Sequence, residues 1–397
     1  MEQIHKLELV FLCEPPIHSF QYGDKIEWKI ITDNTNIYTK LIECKNKIEQ
    51  LYISESWDRA KKVNNDFELI YLPNKRIRKE SIAKYEPLSR AFFKMWELLH
   101  LFNHPLQINP NNSICILGLA EGPGGFIEAM NYWREKYNPK IVDDICGITL
   151  RSTNKDIPGW KKTKKFLNEN KHITIDYGAD NTGNIYNINN IEYLFNKYNH
   201  SVDLVTADGG FDFSDDFNYQ EQKSYRIIFC ESVIALATLN VGGMFICKIF
   251  DIFSRTTVSI LQMLKAHFKK VTITKPHTSR PCNSEKYIVC EHFMGIDSIY
   301  LKKCFLTISL WSRINNNKSF VTNIFNENNL DQNLLDTIDE FNKINAEQQI
   351  FHIEKTLESI INKTGNSKKL NIQRKKAVEW CEAYNITINK NSKFLKK

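Results

Sequence analysis

Long apolar runs are missing from this 397-residue chain. No window approaches eighteen uninterrupted hydrophobic residues, so no membrane-crossing helix is expected. The start, Met1-Glu2-Gln3-Ile4-His5-Lys6, lacks the basic head and apolar stretch of a secretory leader, and the chain reads as soluble and intracellular. Cys-x-x-Cys pairs and histidines at zinc spacing are also missing. The ten cysteines are scattered, and Cys115, Cys146 and Cys247 lie inside apolar runs, as expected of reduced, buried thiols rather than metal ligands. No metal is expected. Excess charge is missing from most of the chain, because from residue 351 onward 11 lysines and arginines face 4 acids, which accounts for the whole net charge of +7. That basic tail suits an anionic partner and suits equally a solvated helical face or a frayed end. What is present, 42% hydrophobic and 12% aromatic residues, supplies cores for two or three domains.

Residues 1–80 mix apolar segments such as 7–12 with turn-prone ones and many aromatics, and their pattern assigns no fold. From Ser81 the pattern changes. Leu88, Phe92, Met95, Leu98, Leu99 and Phe102 recur three or four apart, which predicts an amphipathic helix over 81–102. Beyond it, strand and helix signals alternate. Strands are predicted at 113–118, 145–150, 172–177, 202–207, 243–249, 270–274 and 286–290, with helices at 221–239 and 256–268 among the connections. Such alternation predicts an α/β fold, a mostly parallel seven-stranded sheet with helices on both faces. From about Leu301 strand signals fade. Residues 330–344 and 350–361 read as helical, and 315–318 as a linker.

The stretch "ICILGLAEGPGGFIEAM", 114–130, runs strand, turn, helix. Gly118, Gly122, Gly124 and Gly125 allow tight backbone angles and close approach of a ligand, while the amides opening the next helix face it. No Lys-Ser or Lys-Thr follows, as a Walker loop requires. Nor does strand 145–150, which ends in "GITL", carry the acid that a dinucleotide's ribose needs. Adenosine without a pyrophosphate fits better, and S-adenosylmethionine is the common cofactor of that kind. Glu121, Pro123 and Phe126 of the turn and Thr149 of "GITL" join the glycines as candidate cofactor contacts. In "DYGADNTGNI", 176–185, Asp180 falls in a loop where its carboxylate would accept an adenine amine; the plainer reading is a turn using Asp and Asn for local hydrogen bonds.

Four further residues ask to be read together. "VDLVTADGG" ends a buried strand in Asp208, where open α/β sheets place their ligands. "GGMFICKIFD" ends another in Lys248, costly to bury unless paired or used. Lys94 stands one turn after Arg90 on the predicted helix, so both share a face. In "KPHTSRPCNSEKYIVC", 275–290, the polar Arg280, Asn283, Glu285 and Lys286 crowd the approach to the apolar run 287–290. Singly, each is explained as a surface charge or ion pair. Two lysines, an aspartate and a glutamate gathered around one glycine turn are not.

The order "SRAFFK", "GLAEGPGGF", "ADGG", "CKIF", "TSRPCNSEKY" resembles the FtsJ-type RNA ribose 2′-O-methyltransferases over 81–290, about half the chain. With "YGADNTGN" and "GITL" it is most similar to the branch that methylates the first nucleotides of capped messenger RNA, found in eukaryotes and large DNA viruses. The resemblance implies a Rossmann-like class I S-adenosylmethionine-dependent methyltransferase domain over 81–295, between an N-terminal extension (1–80) and a mostly helical, basic C-terminal region (296–397). It implies a catalytic tetrad of Lys94, Asp208, Lys248 and Glu285, with Asp208 also near the cofactor. Arg90, Ser279, Arg280, Asn283 and Ser284 are the expected substrate contacts. The implied partners are RNA with a capped 5′ end and other capping or transcription proteins, with no membrane. The implied compartment is the cytoplasm, a viral factory or virion for a viral source, with the nucleus as the alternative.

In the implied reaction a ribose 2′-oxygen attacks a sulfonium methyl, with Lys248 as the proton acceptor. That role calls for a lowered lysine pKa, expected from burial, Lys94 and the sulfonium. Asp208 would orient the ammonium, and Glu285 would position Lys94 or the sugar. Three rivals stay open: the same chemistry on ribosomal or transfer RNA, a non-catalytic RNA-binding subunit, and a small-molecule or protein methyltransferase. Trp28, Tyr52, Trp57 and Trp96 are candidates for stacking on a cap and equally for the core.

Overall fold

The structure, a computed structural model, describes residues 4–23, 35–52, 56–73, 76–151, 159–160, 163–210, 218–316, 319–362 and 367–396. Its strands are β1 (Lys6–Leu9), β2 (His18–Gly23), β3 (Cys115–Leu119), β4 (Asp144–Ile148), β5 (Ile173–Asp176), β6 (Val202–Ala207), β7 (Leu239–Ile249), β8 (Phe268–Thr274), β9 (Lys286–Phe293) and β10 (Phe320–Phe325). The N-terminal helices are α1 (Thr35–Tyr52) and α2 (Ser56–Val63), followed by α3 (Ala91–Leu101), α4 (Pro105–Ile108), α5 (Gly125–Tyr137), α6 (Lys164–Glu169) and α7 (Ile188–Tyr198). Then come α8 (Gln220–Thr238), α9 (Arg255–His267), α10 (Ser298–Asn316), α11 (Gln332–Ile361) and α12 (Ser367–Ala383).

Eight strands form one sheet in the order β1-β8-β9-β7-β6-β3-β4-β5. All seven strands expected from the sequence are in it. The pairings of β3 with β4 and β6, of β4 with β5, and of β6 with β7 are parallel, while β9 runs antiparallel between β7 and β8. An eighth strand, β1, comes from the N-terminal segment and pairs antiparallel with β8, Leu7 facing Ile273. Both faces of the sheet are apolar because both are covered. On β3, Leu117 enters one core with α7, α8, α9 and α10, while Ile116 enters the other with α3, α5 and α12. Phe245 and Ile246 of β7 divide in the same way.

Three expectations need revision. The helix predicted over 81–102 begins only at Ala91. Pro87 has no backbone N–H and disfavours helical angles in Glu86, and the next amide, Leu88, is instead donated to the Glu128 carboxylate at 2.8 Å. The two helical segments after 330 are one 30-residue helix, α11, capped by Asp331, whose side chain accepts the Leu334 amide. A strand missed by the sequence reading, β10, pairs antiparallel with β2 and ties the two ends of the chain together. The expected linker at 315–318 is helical through Asn316, and its last two residues lie outside the described ones.

The ten cysteines are free and eight are buried, as their apolar settings suggested. No described helix is long and apolar enough to cross a membrane.

Helices from the two ends of the chain pack on each other. Leu41 and Cys44 of α1, Trp57 of α2, and Ala346, Ile353 and Leu357 of α11 share one apolar cluster with Phe253 and Cys282. A buried carboxylate after β7, Asp251, ties α1 to the sheet, taking Lys45 Nζ of α1 at 2.7 Å and Lys286 Nζ of β9 at 3.3 Å. Burial would raise the Asp251 pKa, but the two ammonium groups hold it below the usual carboxylate range. Asp251→Ala leaves two buried ammonium groups without their carboxylate and should lower the unfolding free energy by about 3–5 kcal/mol, read by urea denaturation.

Candidate active site

The strand register gathers the four candidate catalytic residues. Ala207 lies beside Cys247 in the parallel pair β6–β7, so Asp208 and Lys248 leave neighbouring strand ends together. In the antiparallel pair β7–β9, Lys248 faces Tyr287, and Glu285 stands two residues before Tyr287 on the same side. Tyr287 is buried in the core that also holds α3, the helix bearing Lys94. The contacts follow. Lys248 Nζ lies 3.0 Å from Asp208 Oδ1 and donates to the Asp208 carbonyl at 2.9 Å. Lys94 Nζ donates to Glu285 Oε2 at 2.7 Å.

The two pairs act on each other. Burial would raise the Glu285 pKa, but Lys94 first, then Lys248 and Lys275, pull it down to about 2. The expectation for Lys248 is not met in this structure. Burial lowers its pKa, yet Asp208, Glu285 and Glu231 outweigh burial and hold it above the usual lysine value. Lys248 is therefore a firmly charged ammonium in a carboxylate-rich pocket.

The glycine turn sits on the same edge of the sheet. Backbone bonds draw the strand ends together: Ala120 N donates to Ile148 O at 2.7 Å, Asp208 N to Leu119 O at 3.3 Å, and Arg151 N to Thr182 O at 2.6 Å. The candidates Gly118, Glu121, Gly122, Pro123, Gly124, Thr149, Asp180 and Asp208 thus come from strand ends and turns along one edge of the sheet, where such sheets usually hold ligands. Gly183 and Gly125 are among the glycines required by close approach. A methyl group on Gly183 (φ +67°) would strike the Thr149 carbonyl at 1.9 Å, and one on Gly125 would meet Ser89 Oγ at 2.3 Å. Glu121 is buried; one oxygen accepts the Thr206 hydroxyl, while Oε2 has no hydrogen-bond partner among the described residues. Burial, with Asp208 and Glu231 nearby, raises its pKa well above the usual value.

Phe126 does not line that edge. It is fully buried under α5 with its ring 5.9 Å from that of Tyr287, because the first helical turn points it into the core. Asp180 is exposed and organises its own loop: it accepts Thr182 N and Oγ1 at 2.9 and 2.7 Å, Asn190 at 2.8 Å and Asn187 at 2.7 Å. These are the local bonds that the plainer reading of that turn describes. Oδ2 takes only the Asn187 bond, which leaves it a lone pair for a further donor.

The substrate candidates divide too. Ser279 and Ser284 are buried, and Ser284 Oγ is spent on Gln220 Oε1 at 2.6 Å; neither side chain is presented to a substrate. Asn283 is exposed. Arg90 and Arg280 converge on an acid the sequence reading missed. Glu68 accepts Arg280 bidentately at 2.7 and 3.0 Å, with Arg90 at 3.2 Å. A second missed acid is Glu97, fully buried on α3. It accepts His277 N at 2.7 Å, Thr278 N at 3.1 Å, Thr278 Oγ1 at 3.0 Å and the indole of Trp380 at 3.1 Å. Lys275 closes the same loop from the other side, donating to Asn283 O at 2.5 Å and Glu285 O at 2.8 Å. One signal was available for both acids, a glutamate inside an apolar run, in "FELIYL" and "MWELL". Trp57 and Trp96 are core residues, whereas Trp28 and the Tyr52 side chain lie outside the described residues. Among the described residues no acid, histidine and cysteine group is arranged to hold a metal ion.

The FtsJ-like methyltransferase model matches residues 87–293, from just before α3 to the end of β9. The chain belongs to that family. Its curated relatives include cap-specific mRNA (nucleoside-2′-O-)-methyltransferase 1 of Dictyostelium discoideum, 32% identical over 266 residues covering 62% of this chain and 34% of the relative. The Xenopus laevis protein of that name is 30% identical over 298 residues, 68% of this chain and 32% of the relative. The human one is 32% identical over 235 residues, 53% and 27%. This chain therefore spans about a third of the length of the relatives it matches. Among solved structures, human methyltransferase-like protein 13 aligns with a TM-score of 0.33 and 13% identity, covering 56% of this chain and 91% of that one, too loosely to bear on the site.

Glu97→Gln replaces one acceptor oxygen with an amide NH2, itself a donor, among donors. The loss of about 1.5–3 kcal/mol of charged hydrogen bonding should speed exchange of the His277 and Thr278 amides by about 10–100-fold, read by hydrogen–deuterium exchange.

Proposed function

We propose that this chain transfers the methyl group of S-adenosylmethionine to the ribose 2′-oxygen of a nucleotide near the 5′ end of capped messenger RNA. The observation that carries the reading is the meeting of the Lys94–Glu285 and Lys248–Asp208 pairs beside the glycine turn. Relatives named as cap-specific mRNA 2′-O-methyltransferases, matching over 53–68% of this chain, support the substrate class.

The chemistry of the residues along that edge of the sheet suits such a cofactor. Glu121 Oε2 is a buried polar atom with no hydrogen-bond partner among the described residues, as expected where a ligand's polar groups would complete it. Gly118, Gly122, Gly124, Thr149 and Asp208 would hold it, with Asp180 at the adenine end. Bound S-adenosylmethionine supplies a methyl group on a sulfonium sulfur. Lys248 Nζ takes the proton that the 2′-hydroxyl loses as its oxygen gains the methyl, and Asp208 holds that nitrogen in place. Because the carboxylates keep Lys248 charged here, the sulfonium's positive charge would be what lowers its proton affinity. Glu285 anchors Lys94 and offers Oε1 to the sugar. Arg90 and Arg280, locked by Glu68, present a rigid cationic face, and exposed Asn283 is the loop's remaining candidate for direct backbone contact.

Lys248→Ala should lower methyl transfer to capped RNA by about 10²–10⁴-fold while cofactor affinity by calorimetry stays nearly unchanged. Full activity in that variant removes Lys248 from the mechanism. For the parent protein, the rate should climb with pH from about 6 to about 8 and less steeply above, because Lys248 must lose its proton before it can accept that of the 2′-hydroxyl. Equal transfer to uncapped transcripts would favour ribosomal or transfer RNA instead.

A further inference from the structure

A third acid reaches the centre from the other face of the sheet. Glu231 lies in the middle of α8, the helix that follows the loop carrying Asp208 and leads into β7 with Lys248. It is fully buried among Phe229, Cys230, Ser232, Val233 and Ile234, none of them exposed. Its Oε2 takes the Cys247 thiol at 3.5 Å, and Cys247 immediately precedes Lys248. Its Oε1 lies where a methyl group on Gly209 would sit, at 2.2 Å, and Gly209 immediately follows Asp208. The Gly209 backbone N–H also stabilises the charged form of the carboxyl. A side chain at 209 is thus excluded by the acid itself. An apolar residue on α8 would fill the space at no electrostatic expense.

We propose that Glu231 is a positioning residue of the methyl-transfer centre: its buried carboxyl spaces the strand end bearing Asp208 from the strand end bearing Lys248, and its charge sets how tightly Lys248 holds a proton. The proposal rests on Lys248 acting in transfer, and the family motifs that led to the four-residue centre do not include it. The groups facing Glu231 are Lys248 and Asp208 at the strand ends, Cys247 on β7, neighbouring Cys230, Tyr186 from the loop before α7, and Glu121 of the glycine turn. Burial raises the Glu231 pKa to about 8, with Lys248 the main opposing influence. At neutral pH the acid is neutral and leaves Lys248 to Asp208 and Glu285. As pH rises past that value it ionises, and a third carboxylate then retains the lysine's proton. The coupled pair titrates as a unit.

The test is competitive labelling of the full-length protein with trace acetic anhydride across pH, reading the Lys248 peptide by mass spectrometry, alongside rate–pH profiles. In the parent protein Lys248 reactivity should rise in two phases with a break near pH 8, and the transfer rate should flatten at the same break. In Glu231→Gln, which keeps the shape, the break should vanish, and at alkaline pH Lys248 should label about tenfold faster, one pKa unit of lost attraction. Cofactor affinity by calorimetry should be unchanged. A single-phase Lys248 profile in the parent protein overturns the proposal even if the variant does not fold. An unchanged Lys248 profile in a folded Glu231→Gln overturns it too. Failure of the underlying reading shows separately, as transfer retained in Lys248→Ala.

Discussion

The antiparallel register of β9 against β7 is the constraint on which the site depends. Pairing Lys248 with Tyr287 sends Glu285 to the same side of the sheet as Lys248, and only there can it meet Lys94 from α3. A slip of one residue would send Glu285 to the opposite face and leave two buried lysines with one carboxylate between them. The register is held by apolar pairs beyond the site, Ile246 with Val289 and Phe245 with Cys290, and by β8 on the far side of β9. Core packing and catalytic geometry are therefore set by the same hydrogen-bonded ladder.

Around that ladder, segments outside the family-matched region hold the loop that precedes Glu285. Glu68, from the N-terminal segment, fixes Arg90 and Arg280. Trp380, from α12, shares the Glu97 carboxylate with His277 and Thr278. Cys282 packs in the apolar cluster of α1, α2 and α11. The two ends of the chain thus buttress one loop. Burial also raises the pKa of both Glu121 and Glu231, which eases the repulsion among the acids gathered at this depth.

Much of this was legible in the sequence because its causes are local. An apolar run with a polar residue at its end, as in "VTAD" or "FICK", marks both a buried strand and a side chain at the sheet's ligand edge. The glycine turn was legible because few other residues tolerate its angles. Long-range pairing was not. β1 and β10 are short, and each exists only through a distant partner, β8 and β2. Pro87 was visible, but Leu88 and Phe92 have helical spacing, and that periodicity masked the break. Ser279, Ser284 and Phe126 were misplaced for one reason: a motif gives the order of side chains, while direction is set by packing. The lowered Lys248 pKa was expected from burial and neighbouring cations, whereas the number of carboxylates around it is a property of the assembled site.

The central claim is that the two lysine–acid pairs work as a single device for methyl transfer. A double-mutant cycle on the transfer rate with Lys94→Met and Lys248→Met tests it most directly. The account predicts that the double variant is about as slow as the slower single variant, because removing either lysine already disables the unit. Losses that multiply, each lysine contributing independently of the other, would contradict it.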